Sequence, residues 1–199
     1  MLRAMVFIDH MNFDNSLKNY YREILKQPQE ILIDYKTFPQ RLVEKVAPDC
    51  KLIKTYLFAP KPDDFLRTDT YWDKYYTWIS NFKNFKNFDV IEGEYKARQV
   101  EGAAAMDINK KNTYYKVEKG TDINMAVNII TKAFHNSYDT AILITGDRDY
   151  AMVLEQLKII GKLSVISAVK GQNISSIKQY ADGSFIMDDT FFKTCARKH

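Results

Sequence analysis

The chain has 199 residues, 46% of them hydrophobic, enough for one well-filled α/β domain spanning residues 1–199. Lys plus Arg number 29 against 25 Asp plus Glu, and the net charge of +4 permits a polyanionic partner without demanding one. Cys50 and Cys195 stand alone with no CxxC or Cys/His spacing, which argues for a reducing compartment and against structural zinc.

In chain order, Ala4–Ile8 is a fully apolar run ending in Asp9, as expected of a buried parallel strand. No signal-peptide-like stretch precedes it, and every apolar run is too short to span a bilayer, so the expectation is a cytoplasmic domain without membrane contact. A helix follows, with Phe13, Leu17, Tyr20 or Tyr21, and Ile24 on one face. Asp34 is placed to cap a second helix whose stripe is Tyr35, Phe38, Leu42 and Val46. Leu52–Ala59 reads as the next strand, stopping at Pro60-Lys61-Pro62.

From Asp63 to Lys86 the pattern is a long aromatic helix. Tyr71, Tyr75, Trp78 and Phe82 recur at i, i+4, i+7 and i+11, the spacing of a core stripe. Trp72 and Tyr76 form an adjoining stripe open to use as an interface, which makes a homodimer through this helix a candidate. Asn81–Phe88 interleaves Phe and Lys, a pattern compatible with base stacking and equally with a helix end. Asp89–Tyr95 is a third strand. Gln99–Asn112, with Gly102, three alanines and the polar run Asn109–Asn112, reads as a mobile loop beside the site.

Thr121 is placed to cap a helix running to about Asn136. Thr140–Thr145 is an apolar strand, Asp149–Ile160 a helix, and Lys162–Ser167 a strand after the Gly161 stop. A short helix near Ile174–Tyr180 and a last strand, Ser184–Met187, complete the expected elements. Strands separated by single helices require right-handed crossovers, and hence a mostly parallel central sheet flanked by helices.

In such sheets functional groups gather beyond the carboxyl ends of the strands. Asp9 ends the first strand in FIDHMN, with Asn12 one helical turn on. Asp147 and Asp149 follow a strand in ITGDRDY, and Asp122 opens a helix in KGTDINMA. Gathered carboxylates repel one another and raise each other's pKa. A hard divalent cation relieves that repulsion, lowers the pKa of bound water and neutralises charge on a phosphodiester. An Asp at a strand–helix junction also caps helices, so no one of the four is diagnostic alone.

Three segments together resemble the NYN domain, in its LabA-like branch, of the PIN-like nuclease superfamily. They are Val6–Asn12 (VFIDHMN), Glu118–Val127 (EKGTDINMAV) and Ala141–Val165 (AILITGDRDYAMVLEQLKIIGKLSV), with Tyr180–Ile186 (YADGSFI) similar to the family's final element. The resemblance implies a PIN-like three-layer sandwich and a nuclease using Mg²⁺ or Mn²⁺ on RNA. It implies Asp9, Asp122, Asp147 and Asp149 as metal-site and catalytic carboxylates, and Asn12 as a polar companion on substrate or water. One departure is Asn128, where many relatives carry a further Asp.

Glu92 with GDRDY imitates a Toprim-type site but leaves Asp9 and Asp122 without a role. His10, His135 and His199 have no partner at ligand spacing, and His10 is expected to point away from Asp9. The chain has no GxxxxGK[ST] loop and no GxSxG elbow. Lys110, Lys111 and Lys116 precede Asp122 and are candidates for holding a phosphate backbone; the alternative is a solvated loop.

Overall fold

The computed structural model describes residues 1–197; His199 lies outside them. Seven strands form one sheet in the order β4-β3-β2-β1-β5-β6-β7. They are β1 (Leu2–Asp9), β2 (Cys50–Pro62), β3 (Phe88–Gln99), β4 (Tyr114–Lys119), β5 (Thr140–Ile144), β6 (Leu163–Val169) and β7 (Gly183–Met187). All neighbouring pairs are parallel except β3 and β4, which form an antiparallel hairpin.

Among the described residues six α-helices pack on the sheet: α1 (His10–Asn19), α2 (Phe38–Val46), α3 (Thr70–Asn81), α4 (Thr121–Phe134), α5 (Ala151–Ile160) and α6 (Asp189–Thr194). Alternation along β1 divides the core. Ala4, Val6 and Ile8 meet Phe13, Leu42, Ile79 and Phe192 from α1, α2, α3 and α6, while Met5 and Phe7 meet Met125, Ile129 and Leu154 from α4 and α5. The chain steps outward from β1 to β3 over the first face, then returns past β1 to β5 and β6 over the second. Right-handed crossovers force that change of face when the direction reverses. The reversal opens a crevice at the carboxyl end of β1.

Several sequence expectations shift in detail. β2 runs through Pro60 and Pro62 because β1 ends at Asp9, opposite Phe58, leaving residues beyond Ala59 paired only with β3. Prolines on a free edge remove no ladder hydrogen bond. Asp34 does not cap α2 directly. It closes a turn, its carboxylate accepting from Lys36 N at 3.0 Å, and the helix begins at Phe38. The first helix widens into a π-turn over Tyr20–Ile24.

The Asp63–Lys86 segment breaks into a 3-10 turn at Leu66–Thr68, α3 capped by Asp69, and a second 3-10 turn at Phe82–Asn84. Its core face is Trp72, Ile79 and Phe82, with Tyr75 partly buried, whereas Tyr71 is 56% exposed. Trp72 packs with Leu66, Ala97 and Tyr114, and Tyr76 lies under Lys61 and Arg67, so the adjoining aromatic stripe is largely engaged within the chain.

Tyr114–Lys119 carried no strand signal, because an edge strand with only Tyr114 buried has almost no apolar pattern. The Gln99–Asn112 loop is the tip of its hairpin. Backbone bonds from Val100 N to Thr113 O and Ala103 N to Val100 O hold it, and Met106 and Ile108 pack against the Trp72 cluster. The 174–180 segment is a turn ending in a 3-10 piece, Lys178–Tyr180.

Gly120, at φ 83°, takes the cap position of α4 and Thr121 is its first helical residue. Gly93 of β3 lies against this junction. A Cβ there would sit 2.9 Å from Thr121 N and 3.0 Å from Lys119 O, both backbone atoms that cannot yield cheaply. Gly93→Ala is therefore expected to destabilise the protein by about 1–3 kcal/mol, read by denaturant unfolding. An unchanged midpoint would show that the β4–α4 corner is free to move.

Candidate active site

Asp9 sits at the crevice, only 5% exposed. One carboxylate oxygen accepts Asn12 N at 3.2 Å and caps α1; the other accepts the Thr145 hydroxyl at 3.1 Å. That hydroxyl in turn accepts Asp147 N at 3.1 Å, so the ends of β1 and β5 are joined through Thr145. Asp147 then caps the Arg148–Tyr150 turn by accepting Asp149 N at 3.0 Å. Asp122, in the first turn of α4, accepts the Tyr150 hydroxyl at 3.1 Å. Burial, with the Asp9 and Asp122 charges, raises the Tyr150 pKa, which keeps that hydroxyl a donor.

A cleft of about 280 Å³ is lined by Asp9, Met11, Asn12, Asn15, Glu118, Lys119, Gly120, Thr121, Asp122 and Asp147. Burial is the main cause that pushes the Asp9 carboxyl up to about 7, with Asp122 and Glu118 adding to it against the Asn12 and Thr145 hydrogen bonds. Glu118 is raised for a similar reason, by burial and by Asp122.

The structure thus brings Asp9, Asp122, Asp147 and Asn12 to one cleft. Asp149 is exposed and does not line it. Lys110, Lys111 and Lys116 also lie outside. Lys110 is 3.6 Å from Asp107 at the hairpin tip, and Lys116 rests over the rings of Trp72 and Tyr95. Glu92 pairs with Lys83 at 2.7 Å and is not in the cleft, which removes the Toprim-like arrangement. Asn128 bonds along its own helix to Asn124 O and Lys132, also outside the cleft. His10 does face away, into the rings of Tyr35, Tyr75 and Trp78.

Sequence reasoning gave no site role to Glu118, Thr145, Tyr150 and Gln172, while Lys119 belongs to the basic stretch leading into Asp122. Glu118 and Lys119 were visible as the first residues of the EKGTD segment. Gln172 carried no signal, yet its amide donates to Asn12 Oδ1 at 2.6 Å while its own carbonyl accepts Val169 N at 3.3 Å. Asn12 Oδ1 also accepts Gly146 N at 3.0 Å, so its NH₂ is left to donate into the cleft.

The donor set is hard oxygen without Cys or His, which suits Mg²⁺ or Mn²⁺. Among the described residues no three His, Cys, Asp or Glu groups stand close enough to enclose an ion. The residues therefore fit a largely hydrated ion held by one or two carboxylates, the usual habit of Mg²⁺, and not a closed protein shell.

A mostly parallel α/β sheet of this kind, with the NYN domain recognised in it, places the chain in the PIN-like nuclease superfamily, which points to a nuclease or RNA-related role. The NYN domain model matches residues 3–189, and the chain belongs to the NYN domain family. Comparison with curated proteins gave no match. Among solved structures, a protein of unknown function from Vibrio parahaemolyticus has the same fold, with a TM-score of 0.57 and 14% identity over 96% of this chain and 95% of that one. No helix among the described residues is long and apolar enough to cross a membrane.

Proposed function

We propose that the protein is a metal-dependent endoribonuclease of the LabA-like branch, built on a three-layer PIN-like sandwich and acting on RNA in the cytoplasm. The observation that carries this reading is the meeting of Asp9, Asp122 and Asp147, from three separate chain junctions, in one cleft. Helix capping accounts for Asp9 and Asp147 singly, but not for Asp122, which caps nothing, and not for the convergence of the three. Mg²⁺ or Mn²⁺, when bound, supplies an acidified water and neutralises phosphate charge. Asp9 and Asp147 are the carboxylates that would hold it, with Asp122 fixed by Tyr150 and Asp149 contributing negative charge from outside the cleft. Asn12 donates to a phosphate oxygen or the attacking water, and Lys119 balances phosphate charge within the cleft. Lys110, Lys111 and Lys116 follow the incoming RNA backbone. Self-association through α3 would rest on Trp78, its remaining exposed aromatic apart from Tyr71.

The test is cleavage of labelled RNA with Mg²⁺, Mn²⁺ or EDTA. Cleavage with either ion and none in EDTA is expected. RNA binding without cleavage under any condition would replace the nuclease by a non-catalytic binding module, the reading favoured by the open carboxylate arrangement.

Gln172 offers a second check. A side chain at Gly146 would strike Gln172, with Cδ at 2.6 Å and Cγ at 2.9 Å. A flexible side chain can move, so Gly146→Ala should displace Gln172 from Asn12 at small cost in stability. Gly146→Ala and Gln172→Leu are both expected to slow cleavage about tenfold, as loss of a supporting hydrogen bond typically does. Equal unfolding midpoints with wild-type rates in both would remove the Gln172–Asn12 contact from the mechanism.

A further inference from the structure

Along β4 from the acidic cleft, the β3–β4 hairpin and the start of α3 enclose a second hollow of about 280 Å³, lined by Asp69, Tyr71, Trp72, Lys111, Tyr114 and Lys116. Its chemistry differs from that of the cleft: three aromatic rings and two lysines against a single carboxylate. That carboxylate is already engaged, since Asp69 caps α3 by accepting Tyr71 N at 2.7 Å. Tyr71 is 56% exposed, and its ring stands edge-on to Trp72 with centroids 5.1 Å apart. Lys116 lies over Trp72 at 4.9 Å and Tyr95 at 5.7 Å, so its ammonium is held in place by rings.

The hollow and the cleft lie on one continuous strand face. Alternation puts Tyr114, Lys116 and Glu118 on the same side of β4, about 7 Å apart in succession. Tyr114 and Lys116 line the hollow, whereas Glu118 lines the cleft. Across the ladder Tyr95 pairs with Glu118 and Ala97 with Lys116, so the same face continues on β3. An extended strand whose phosphates pass Lys111 and Lys116 is led along β4 to the carboxylates.

We propose that this hollow is a subsite for single-stranded nucleic acid, in which a base stacks on Tyr71 beside Trp72 while Lys111 and Lys116 take the flanking phosphates. Rings interleaved with lysines are how single strands are held without sequence readout, because every base has a stacking face. A duplex, whose bases already stack on each other, has no face to offer Tyr71. The subsite rests on the nuclease reading for its place on the substrate path, but binding can be tested without cleavage.

The chain has two tryptophans, Trp72 and Trp78. Trp78→Phe leaves Trp72, in the wall of the hollow, as sole reporter. This variant is titrated in EDTA with a labelled single-stranded oligoadenylate, following anisotropy for binding and tryptophan emission for location. A saturable change in Trp72 emission that tracks binding is expected. Adding Tyr71→Ala should weaken binding about tenfold and Tyr71→Phe should restore it, as loss and retention of one stacked base require. Lys111→Ala should flatten the salt dependence of binding by about 0.7 in log–log slope. Binding without any Trp72 response, an unaffected Tyr71→Ala variant, or an equal response to an RNA hairpin stem would each overturn the subsite. Cleavage with a silent Trp72 would retain the nuclease and remove the subsite; a Trp72 response without cleavage would do the reverse.

Discussion

Asp9→Asn is expected to slow cleavage by about 10²–10³ and, in the absence of metal, to make the protein more stable. Both outcomes come from one feature, a carboxylate held in a nearly dry position beside Asp122 and Glu118. Its folded pKa of about 7 lies above the ordinary value of 3.8, so the folded state binds the proton more tightly than the unfolded state does. The favourable contribution is complete below about pH 4 and is lost as pH rises through 7. At pH 8 the charged side chain costs the fold about 4 kcal/mol. Asn keeps the bond from Asn12 N and can donate to Thr145, whose oxygen has a second lone pair. Denaturant unfolding at pH 8 in EDTA should therefore show a higher midpoint for the variant. Mg²⁺ should raise the wild-type midpoint and move the variant less. Cleavage should fall by about 10²–10³, the usual loss when a single preorganised charge is removed. Wild-type cleavage by Asp9→Asn in EDTA would mean a contaminant or another site. A destabilised variant would mean that Asp9 is a structural cap and nothing more.

The central strands were readable because burial on both faces leaves runs with no polar interruption: Ala4–Ile8 and Thr140–Ile144 are apolar or small throughout and almost wholly buried. The carboxylates were readable because the ends of such strands are where a parallel sheet opens. What the sequence hid depends on partners distant along the chain. β4 is a strand only because β3 pairs with it, and its sequence, YYKVEK, with one buried residue, looks like loop. On the aromatic helix Tyr75 and Phe82 do pack on the core as expected, but Trp72 and Ile79 are buried in place of Tyr71 and Trp78, because every face carries a ring. Burial of Trp72 rather than Tyr71 is decided by where Ala97 and Tyr114 arrive, far along the chain. Gln172 reaches Asn12 across 160 residues, and no local pattern encodes that contact.

The residue next to Asp9 gives the opposing pH response. His10 is 1% exposed, packed among Tyr35, Tyr75 and Trp78, and its two ring nitrogens have no hydrogen-bond partner among the described residues. Burial is the main cause that lowers its pKa from 6.5 to about 4, with Lys18 lowering it further and Asp14 opposing. Between pH 4 and 6.5 the unfolded chain holds a proton on His10 that the folded one refuses, so this residue makes stability rise with pH, by about 3 kcal/mol across the window. Asp9 does the reverse over nearly the same range, with Glu118 adding in the Asp9 direction. Asp139, held down to about 2 by Arg3, responds only at lower pH. The wild-type protein should therefore show little net slope from these neighbours. Asp9→Asn should expose the His10 response and become acid-labile, while His10→Phe should expose the Asp9 response and gain stability on acidification. The slope of unfolding free energy against pH is the quantity to compare, because repacking around Phe shifts the level and leaves the slope. The double variant should be nearly flat again. Parallel slopes in all four proteins would show that neither side chain is as dry in solution as its packing implies.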